Sequence, residues 1–259
     1  MRKVGSVVFV GIGITLGVHL TQRAKNYIEQ ADVVFVAAAD ALVEKWVEGM
    51  NTDVRSLQVY YQEGVSRKVT YAQMQQAIMA EVKLGKNVCC ALYGHPGVFA
   101  LVSHKTIHQA LIEGYHASME PGISAEDCLY ADLGIDPGTV GCAHFEASQF
   151  LFYKRVIDPT AYLILWQVGI VGDKSYKKLS TGHQHRELLV KLLSETYPLS
   201  HTLTLYEAPT LPVNKCRIEE VRLDELASAI LNPATTIAIP PAQAFIENKE
   251  MTKLLSNLC

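Results

Sequence analysis

Glycine-rich turns directly after apolar runs are the feature that most constrains how this chain can fold. The first turn, residues 11–17, follows the apolar run 6–10, and the second, residues 93–99, follows the run 88–92. A third begins at Pro121, after another short apolar run. Apolar, β-branched runs of this length predict buried strands. Because open α/β sheets bind ligands at the carboxyl ends of their strands, we expect the three turns to line one pocket.

The segments between these turns predict an alternating α/β domain in the first half of the chain. Predicted strands cover residues 6–10, 33–37, 57–61, 88–92 and 115–119. Predicted helices cover residues 20–30, 70–85 and 105–114. The second of these helices opens on a capping-box pattern formed by Thr70 and Gln73. Strands that alternate with helices in this order favour a mostly parallel sheet.

The second half brings strands closer together and predicts a mixed sheet. Predicted strands cover residues 145–150, 162–168, 201–206 and 235–239, and predicted helices cover residues 124–133, 184–197 and 223–231. No low-complexity linker separates the halves, so the change near residue 120 predicts a boundary between packed domains. We therefore predict an N-terminal domain at 1–119, a C-terminal domain at 120–241 that completes the ligand pocket, and a helical tail at 242–259.

Composition limits the classes of partner and the compartment. The 259 residues are 49% apolar and carry a net charge of -3, and residues 176–178 hold the largest basic cluster. Such a surface gives no electrostatic footprint for nucleic acid. Glycines interrupt the apolar N-terminal run, no window reaches the length of a membrane span, and the six cysteines show no paired spacing. We expect a cytoplasmic protein that binds neither nucleic acid nor membrane.

The glycine motifs have structural interpretations that compete with ligand binding. Gly11-x-Gly13 resembles the start of a dinucleotide fingerprint, but the third glycine falls one position late, at Gly17, and Asp40 is the nearest candidate to bind a ribose. Residues 93–99 could form a proline-containing β-turn, and Ser124 could serve as a helix cap. A tight turn near a ligand without phosphates is the interpretation we favour.

Two histidines at one helix start raise the question of a metal site. His183 and His185 are separated by one residue, at the polar start of a predicted helix. No third side chain of a suitable type accompanies them, and structural or catalytic zinc sites need at least three protein ligands. We expect no metal.

Motifs spread over roughly residues 5–240 carry a family resemblance. They are Gly11-x-Gly13 with Leu20-Thr21, residues 60–61 and 67–71, residues 93–99, residues 121–127, residues 135–137 with Gly141-Cys142, residues 146–151, and residues 166–169. Together they resemble the tetrapyrrole methylases, two-domain α/β methyltransferases that use S-adenosyl-L-methionine. The match is most specific to the borosin-type enzymes, which methylate the backbone nitrogens of peptides.

Two departures from the family pattern refine what the resemblance implies. His95 stands where tetrapyrrole methylases usually have an aspartate. This difference argues against a porphyrinoid substrate and agrees with the pattern of the peptide methylases. Fungal borosin enzymes carry a long C-terminal extension with their own substrate peptide, whereas this sequence ends at Cys259. The resemblance therefore implies the bacterial split form, a homodimer that acts on a separate precursor peptide. A tetrapyrrole, a side-chain carboxylate and a ribose hydroxyl stay open as alternative acceptors, and so does a binding protein without turnover.

The resemblance implies that Tyr61, Arg67 and Tyr71 are the catalytic residues, and these residue types suit the chemistry. An amide nitrogen is a poor nucleophile because its lone pair is delocalised. Its proton must be removed while charge on the carbonyl oxygen is stabilised. We expect Tyr71, or Tyr61 in the same network, to take the proton, and Arg67 to lower the pKa of the phenol. The competing interpretation is that both tyrosines are core residues.

For the cofactor, the resemblance implies contacts at the glycine-rich turns and in the second half of the chain. Gln167 stands out independently, because a polar side chain between apolar neighbours needs a hydrogen-bond partner. The implied cofactor-binding residues are Ile12, Tyr93, His95, Val98, Phe99, Ser124, Ala125, Gln167, Tyr206 and Pro240.

Overall fold

The computed structural model describes residues 4–62, 64–178 and 180–258. The chain divides into two compact units. The first unit comprises Met1–Ile135, Asp173–Lys178 and Glu207–Arg217, and the second comprises Asp136–Gly172, Leu179–Tyr206 and Ile218–Cys259. These bounds do not coincide with the predicted domains 1–119, 120–241 and 242–259, because two segments of the second half return to the first unit. The domain assignment stays a prediction.

A five-stranded parallel sheet forms the centre of the first unit. Its strands are β1 (Ser6–Gly11), β2 (Val33–Ala37), β3 (Val54–Ser56), β4 (Asn87–Leu92) and β5 (His116–Glu120). They lie in the order β3-β2-β4-β1-β5, and every pair is parallel. The carboxyl ends of all five strands therefore lie on one edge of the sheet.

Helices cover both faces of this sheet. They are α1 (Gln22–Gln30), α2 (Ala41–Glu48), α3 (Arg67–Lys83), α4 (Leu101–Ile112) and, after β5, α5 (Ala125–Leu133). Alternate residues of the strands pack on opposite faces: Phe9 and Phe35 contribute to the core beneath α3 and α4, whereas Val10 and Val34 contribute to the core beneath α1 and α2. Burial on both faces explains why these strands are almost continuously apolar.

A mixed five-stranded sheet forms the second unit. Its strands are β6 (Cys142–Glu146), β7 (Tyr162–Trp166), β8 (Thr202–Glu207), β9 (Arg217–Arg222) and β10 (Thr236–Ile239), in the order β6-β7-β10-β8-β9. β6 runs parallel to β7, whereas β10 is antiparallel to β7 and β8. The helices are α6 (Pro137–Val140), α7 (Ala147–Phe152), α8 (His183–Leu193) and α9 (Lys249–Ser256). The predicted fold class, with a parallel first sheet and a mixed second one, is confirmed.

Capping explains the largest local errors of the sequence-based prediction. The strand predicted at 145–150 ends at Glu146, as part of β6, because the Glu146 carboxylate accepts hydrogen bonds from the amides of Ser148 and Gln149 and starts α7. The predicted helix at 70–85 begins earlier, at Arg67, because Ser66 caps it. Residues 57–61 are not a strand: β3 ends at Ser56, and a 3-10 turn follows.

Another 3-10 turn replaces the helix predicted at 223–231. It spans Leu223–Ser228. The sequence-based prediction has no helix or strand at the positions of α2, β3, α6 and β9, and it has a strand where α7 lies. Within residues 4–62, 64–178 and 180–258, no helix combines the length and apolar character that crossing a lipid bilayer requires.

Gly11→Ala is expected to lower the free energy of unfolding by about 3 kcal/mol, as overpacking of a rigid contact does. A Cβ at this position would lie 2.3 Å from the carbonyl oxygen of Gly94 and 2.7 Å from the Cα of Gly122. Both atoms belong to backbone and cannot rotate away. Gly182→Ala is the matched control, because its Cβ meets no atom within 4 Å, and loss of the glycine cap costs about 1 kcal/mol or less. Equal stability of the two variants in urea unfolding would contradict this packing account.

Candidate active site

The three glycine-rich turns meet at the carboxyl edge of the first sheet, as predicted. The turn after β1 contacts the turn after β4, because the Gly94 amide donates a 2.8 Å hydrogen bond to the Gly13 carbonyl. Gly122, after β5, approaches both turns so closely that a Cβ on it would lie 2.6 Å from the Gly94 oxygen and 2.7 Å from the Gly11 Cα. The glycines are required here by the contact between three backbones.

Two histidines fix the turn after β4. The Gly97 amide donates to Nδ1 of His95 at 2.9 Å, so this ring nitrogen carries no proton in the bond. On the other side of the same residue, Nε2 of His104 lies 2.8 Å from the Gly97 carbonyl, to which it must donate. A larger residue would not fit at position 97, where a Cβ would lie 2.7 Å from Sδ of Met119. His95 therefore has a structural role in this turn.

Apolar side chains at this edge are left open to solvent. Tyr93, Val98 and Phe99 are 45%, 42% and 52% exposed, although they follow a strand that is buried from Val88 to Leu92. Phe99 also has a φ of +51°, in the left-handed region that non-glycine residues rarely adopt. Such a backbone conformation is costly and concentrates at ligand sites. This exposed surface can pack against an apolar or aromatic part of a ligand.

The helix start after β5 has its polar groups already paired. The Asp127 carboxylate accepts from the backbone amide and from the hydroxyl of Ser124, both at 2.7 Å, which completes a capping box. A phosphate at this helix start would therefore meet the negative charge of the Asp127 carboxylate, whereas phosphate binding requires free backbone amides. Nor do Gly11 and Gly13 open a helix, since α1 begins at Gln22. The dinucleotide interpretation has no geometric support, whereas a ligand without phosphates suits this edge.

In the second unit, Gln167 and Tyr206 lie at one edge of the mixed sheet. Gln167 follows β7 with a φ of +58°, and the next amide, that of Val168, donates to the carbonyl of Thr235. Tyr206 pairs with Thr236, the neighbour of Thr235. Pro240 is different: it follows the far end of β10, where its carbonyl lies 3.0 Å from Nε2 of His201. The structure therefore does not bring Pro240 together with the other two predicted residues.

Tyr61, Arg67 and Tyr71 come together beside β3. The rings of Tyr61 and Tyr71 meet edge to face, with centroids 6.5 Å apart and planes at 87°. Tyr61 ends the 3-10 turn after β3, whereas Arg67 and Tyr71 are one turn apart at the start of α3. The placement predicted for them, with Tyr61 ending a strand and Arg67 in a loop, is wrong in detail. Tyr61 is 44% exposed, so it is not a core residue.

Hydrogen bonds connect this tyrosine segment to the glycine-rich edge. The side chain of Gln58, in the 3-10 turn before Tyr61, donates to the carbonyl of Ala38 at 2.7 Å. The neighbouring carbonyl of Ala37 accepts from the amide of Tyr93 at 3.0 Å. In the sheet order, β3 and β1 are three positions apart, which places their axes roughly 14 Å apart. The tyrosines and the glycine turns therefore occupy one edge of one sheet.

The surroundings of Tyr61 shift the pKa of its phenol. Partial burial raises the pKa of Tyr61, and the adjacent Tyr71, to which it is hydrogen bonded, raises it further. The positive charge of Arg67 acts in the opposite direction but is the weaker influence. The guanidinium lowers the pKa of Tyr61, in the expected direction, but burial and Tyr71 outweigh it, so that the pKa lies well above the ordinary value. The Tyr61 phenol therefore keeps its proton near neutral pH.

Metal ligands are not clustered in the described part of the chain. Among those residues, no group of three or more histidine, cysteine, aspartate or glutamate side chains could hold a metal ion. Nδ1 of His183 lies 3.5 Å from the carboxylate of Glu187 on the same helix. The chemistry available at this edge is that of phenols, a guanidinium and backbone groups.

Solved structures define the class of protein to which this architecture belongs. A uroporphyrin-III-C-methyltransferase from Thermus thermophilus superposes with a TM-score of 0.63 over 92% of each chain, at 18% identity. A cobalt precorrin-4 methyltransferase of cobalamin biosynthesis superposes with a TM-score of 0.66 over 91% of this chain and 94% of its own, at 14% identity. The fold is that of the tetrapyrrole methylases.

Sequence comparison places the chain within that class. Residues 6–227 match the family model described as Tetrapyrrole (Corrin/Porphyrin) Methylases, so the chain belongs to this family. It is 40% identical to a methyltransferase/ribosomally synthesized type I borosin cyclic peptide precursor of Coprinopsis marcescibilis, over 92% of this chain and 63% of that protein. It is 36% identical to the omphalotin A precursor of Omphalotus olearius, over 99% of this chain and 62% of that protein. The chain thus spans a little over 60% of the length of these borosin relatives.

Proposed function

We propose that this chain methylates backbone amide nitrogens of a peptide, with S-adenosyl-L-methionine as the methyl donor. The observation that carries the proposal is the cluster of Tyr61, Arg67 and Tyr71 on the same sheet edge as the three glycine-rich turns. Two phenols and a guanidinium are suited to remove a proton of high pKa and to stabilise the oxyanion that results. The names of the borosin relatives, which join a methyltransferase to a peptide precursor, agree with a peptide acceptor.

The residues at the glycine-rich edge fit this donor. It has an apolar and aromatic body but no phosphates, which matches exposed Tyr93, Val98 and Phe99 beside a helix start that Asp127 already caps. When bound, the donor supplies a methyl carbon on a positively charged sulfur. Ile12, His95, Ser124 and Ala125 in the first unit are assigned to the donor, and so are Gln167 and Tyr206 in the second unit. Pro240 carries the weakest assignment, since it lies at the far edge of its sheet.

Within the cluster, the two tyrosines divide the proton chemistry. Tyr61 keeps its proton, because burial and the adjacent Tyr71 raise its pKa. We therefore assign the role of proton acceptor to Tyr71. The amide N–H proton would pass to the phenolate oxygen of Tyr71, and the nitrogen would bond to the methyl carbon of a bound donor. The donor sulfur would keep the electrons of the broken S–C bond and leave as a neutral thioether. Tyr71 is accordingly the proposed base.

We assign to Arg67 the role of stabilising the negative charge that develops on the amide during the reaction. As the amide loses its proton, charge moves to the carbonyl oxygen through the peptide resonance. A fixed guanidinium beside the phenols stabilises both this oxygen and the phenolate. Because the guanidinium is always charged, it can do so at any physiological pH.

The proposal extends to the arrangement of chains. We assign the peptide to a separate precursor and expect the methylating chain to form a homodimer. The homodimer and the bound precursor would then form a hetero-oligomer. Incubation of residues 1–259 with a peptide added in trans tests the first point, because methylation then requires no covalent link. Light scattering of the same sample tests the second.

Mass spectrometry of reaction products tests the proposed acceptor. The protein is incubated with S-adenosyl-L-methionine and, in separate arms, a library of synthetic apolar peptides or a tetrapyrrole. We expect peptides to gain whole multiples of one methyl mass, with fragment ions that place each methyl on a backbone nitrogen. Methylation of side chains or of the tetrapyrrole alone would overturn the backbone-amide assignment. Donor binding without any product would identify a binding protein.

A further inference from the structure

A buried aspartate organises the loop that follows residue 172. Asp173 is 7% exposed, and its carboxylate accepts four hydrogen bonds from its own loop. Oδ1 accepts from the amide and the hydroxyl of Ser175 at 2.9 and 2.6 Å, and Oδ2 accepts from the amides of Lys177 and Lys178 at 3.0 and 2.9 Å. Burial opposes ionisation of this carboxyl, but the hydrogen bonds hold its pKa below the ordinary value. The loop is therefore built around a carboxylate.

The same loop holds Arg67 at two points. The Arg67 amide donates to the carbonyl of Tyr176 at 3.1 Å, and Nη2 of its guanidinium donates to the carbonyl of Lys178 at 3.1 Å. The next residue, Lys68, places its ammonium 5.1 Å from the centre of the Tyr176 ring. Both carbonyls belong to residues within the turn that Asp173 closes. The loop thus fixes the backbone and the side chain of the same arginine.

Tyr176 shows that this geometry has an energetic cost. Its φ is +57°, and with Phe99 and Gln167 it forms the set of non-glycine residues with positive φ among those described. A non-glycine residue stays in this region only where surrounding contacts determine it. At Tyr176 the carbonyl accepts from the Arg67 amide, and the residues on either side, Ser175 and Lys177, are bonded to the Asp173 carboxylate. A solvated loop without a role would relax to an ordinary backbone conformation.

We propose that Asp173 is a positioning residue for Arg67, acting through the carbonyls of Tyr176 and Lys178. The inference rests on the proposed function, in which Arg67 stabilises the oxygen of the amide that loses its proton. A long side chain on the surface has many rotamers, and its charge helps a reaction only when the guanidinium stays at one place. The Asp173 turn supplies a carbonyl acceptor at that place, so residues 173–178 are part of the reactive site.

Asp173→Asn tests this inference, because it keeps the shape of the side chain and removes the charge. One oxygen can still accept, but the new amide group cannot accept from Lys177 and Lys178. We expect methyl transfer to slow by about 10- to 100-fold, as misplacement of a catalytic group does, with unchanged donor affinity. The Arg67 amide should exchange its hydrogen faster, since its acceptor is the Tyr176 carbonyl. Asp158→Asn is the matched control, because Asp158 also closes a turn, through the amide and hydroxyl of Thr160.

A double-mutant cycle separates positioning from a general loss of structure. If Asp173 acts through Arg67, Asp173→Asn should slow an Arg67→Ala protein no further. Additive losses in the double variant, or an Asp173→Asn protein as fast as the Asp158→Asn control, would overturn the inference. If the wild-type protein methylates no peptide, the proposed function fails. Hydrogen exchange then tests on its own whether Asp173 holds Arg67 in place. Unchanged protection of the Arg67 amide in Asp173→Asn would overturn the inference.

Discussion

Replacing Tyr71 by phenylalanine is expected to slow methyl transfer to a peptide amide by about 10²- to 10⁴-fold, the usual contribution of a positioned base. The substitution removes one oxygen and keeps the ring that packs edge to face on Tyr61. Tyr71 is not among the residues assigned to the donor, so the affinity for S-adenosyl-L-methionine should not change. Single-turnover kinetics measure the chemical step, and calorimetry measures the affinity.

Two further tyrosine variants test whether the loss of activity is specific to the Tyr71 hydroxyl. Tyr61→Phe should lose less activity than Tyr71→Phe, since Tyr61 supports the base and is not the base. Tyr115→Phe is the matched control, because Tyr115 precedes β5 and so lies at the amino edge of the same sheet, away from the candidate site. We expect it to turn over at the wild-type rate. A larger loss in Tyr61→Phe than in Tyr71→Phe would exchange the two assignments.

Replacing Arg67 by alanine is expected to slow the same reaction by about 10²- to 10³-fold, as removal of an oxyanion donor does. The variant loses a permanent charge near both phenols, together with the hydrogen bond to the Lys178 carbonyl. The Arg67 side chain is not needed to start α3, since Ser66 caps that helix. The fold should therefore survive, which circular dichroism and urea unfolding can verify.

Arg67→Lys discriminates charge from geometry. A lysine keeps the charge but lacks the planar fork that can donate to a fixed carbonyl and to a substrate oxygen together. We expect this variant to recover only a small part of the activity that alanine loses. Full activity in Arg67→Lys would mean that a positive charge anywhere near the phenols is sufficient. Full activity in Arg67→Ala would remove Arg67 from the catalytic assignment.

Much of the first unit could be predicted from sequence because its signals are local. The strand at Val33–Ala37 is predicted with its observed bounds, since a parallel strand buried on both faces is apolar at almost every position. The capping box of Ser124 and Asp127 is visible for the same reason: its two partners are three residues apart. The meeting of three glycine-rich turns follows from the rule that parallel strands share a carboxyl edge.

What could not be predicted depends on contacts between distant segments. The ordering of residues 173–178 depends on the buried Asp173 and on Arg67, more than 100 positions away, whereas in sequence the lysines favour a solvated loop. The pKa of Tyr61 depends on how far packing outweighs the nearby guanidinium, which no spacing reveals. The position of Pro240 could not be predicted for a similar reason: the direction of β10 relative to β7 decides at which edge of the sheet that residue lies.

A crystal structure of the protein with S-adenosyl-L-homocysteine and a peptide would test the central claim most directly. The claim is that a tyrosine and an arginine beside β3 make a peptide nitrogen reactive next to a methyl donor held at the glycine-rich turns. We predict the Tyr71 oxygen at hydrogen-bond distance from one backbone nitrogen, about 3 Å, with the Arg67 guanidinium at the carbonyl oxygen of that amide. A peptide that lies elsewhere, or a Tyr71 hydroxyl that faces away from the amide nitrogen, would contradict the account.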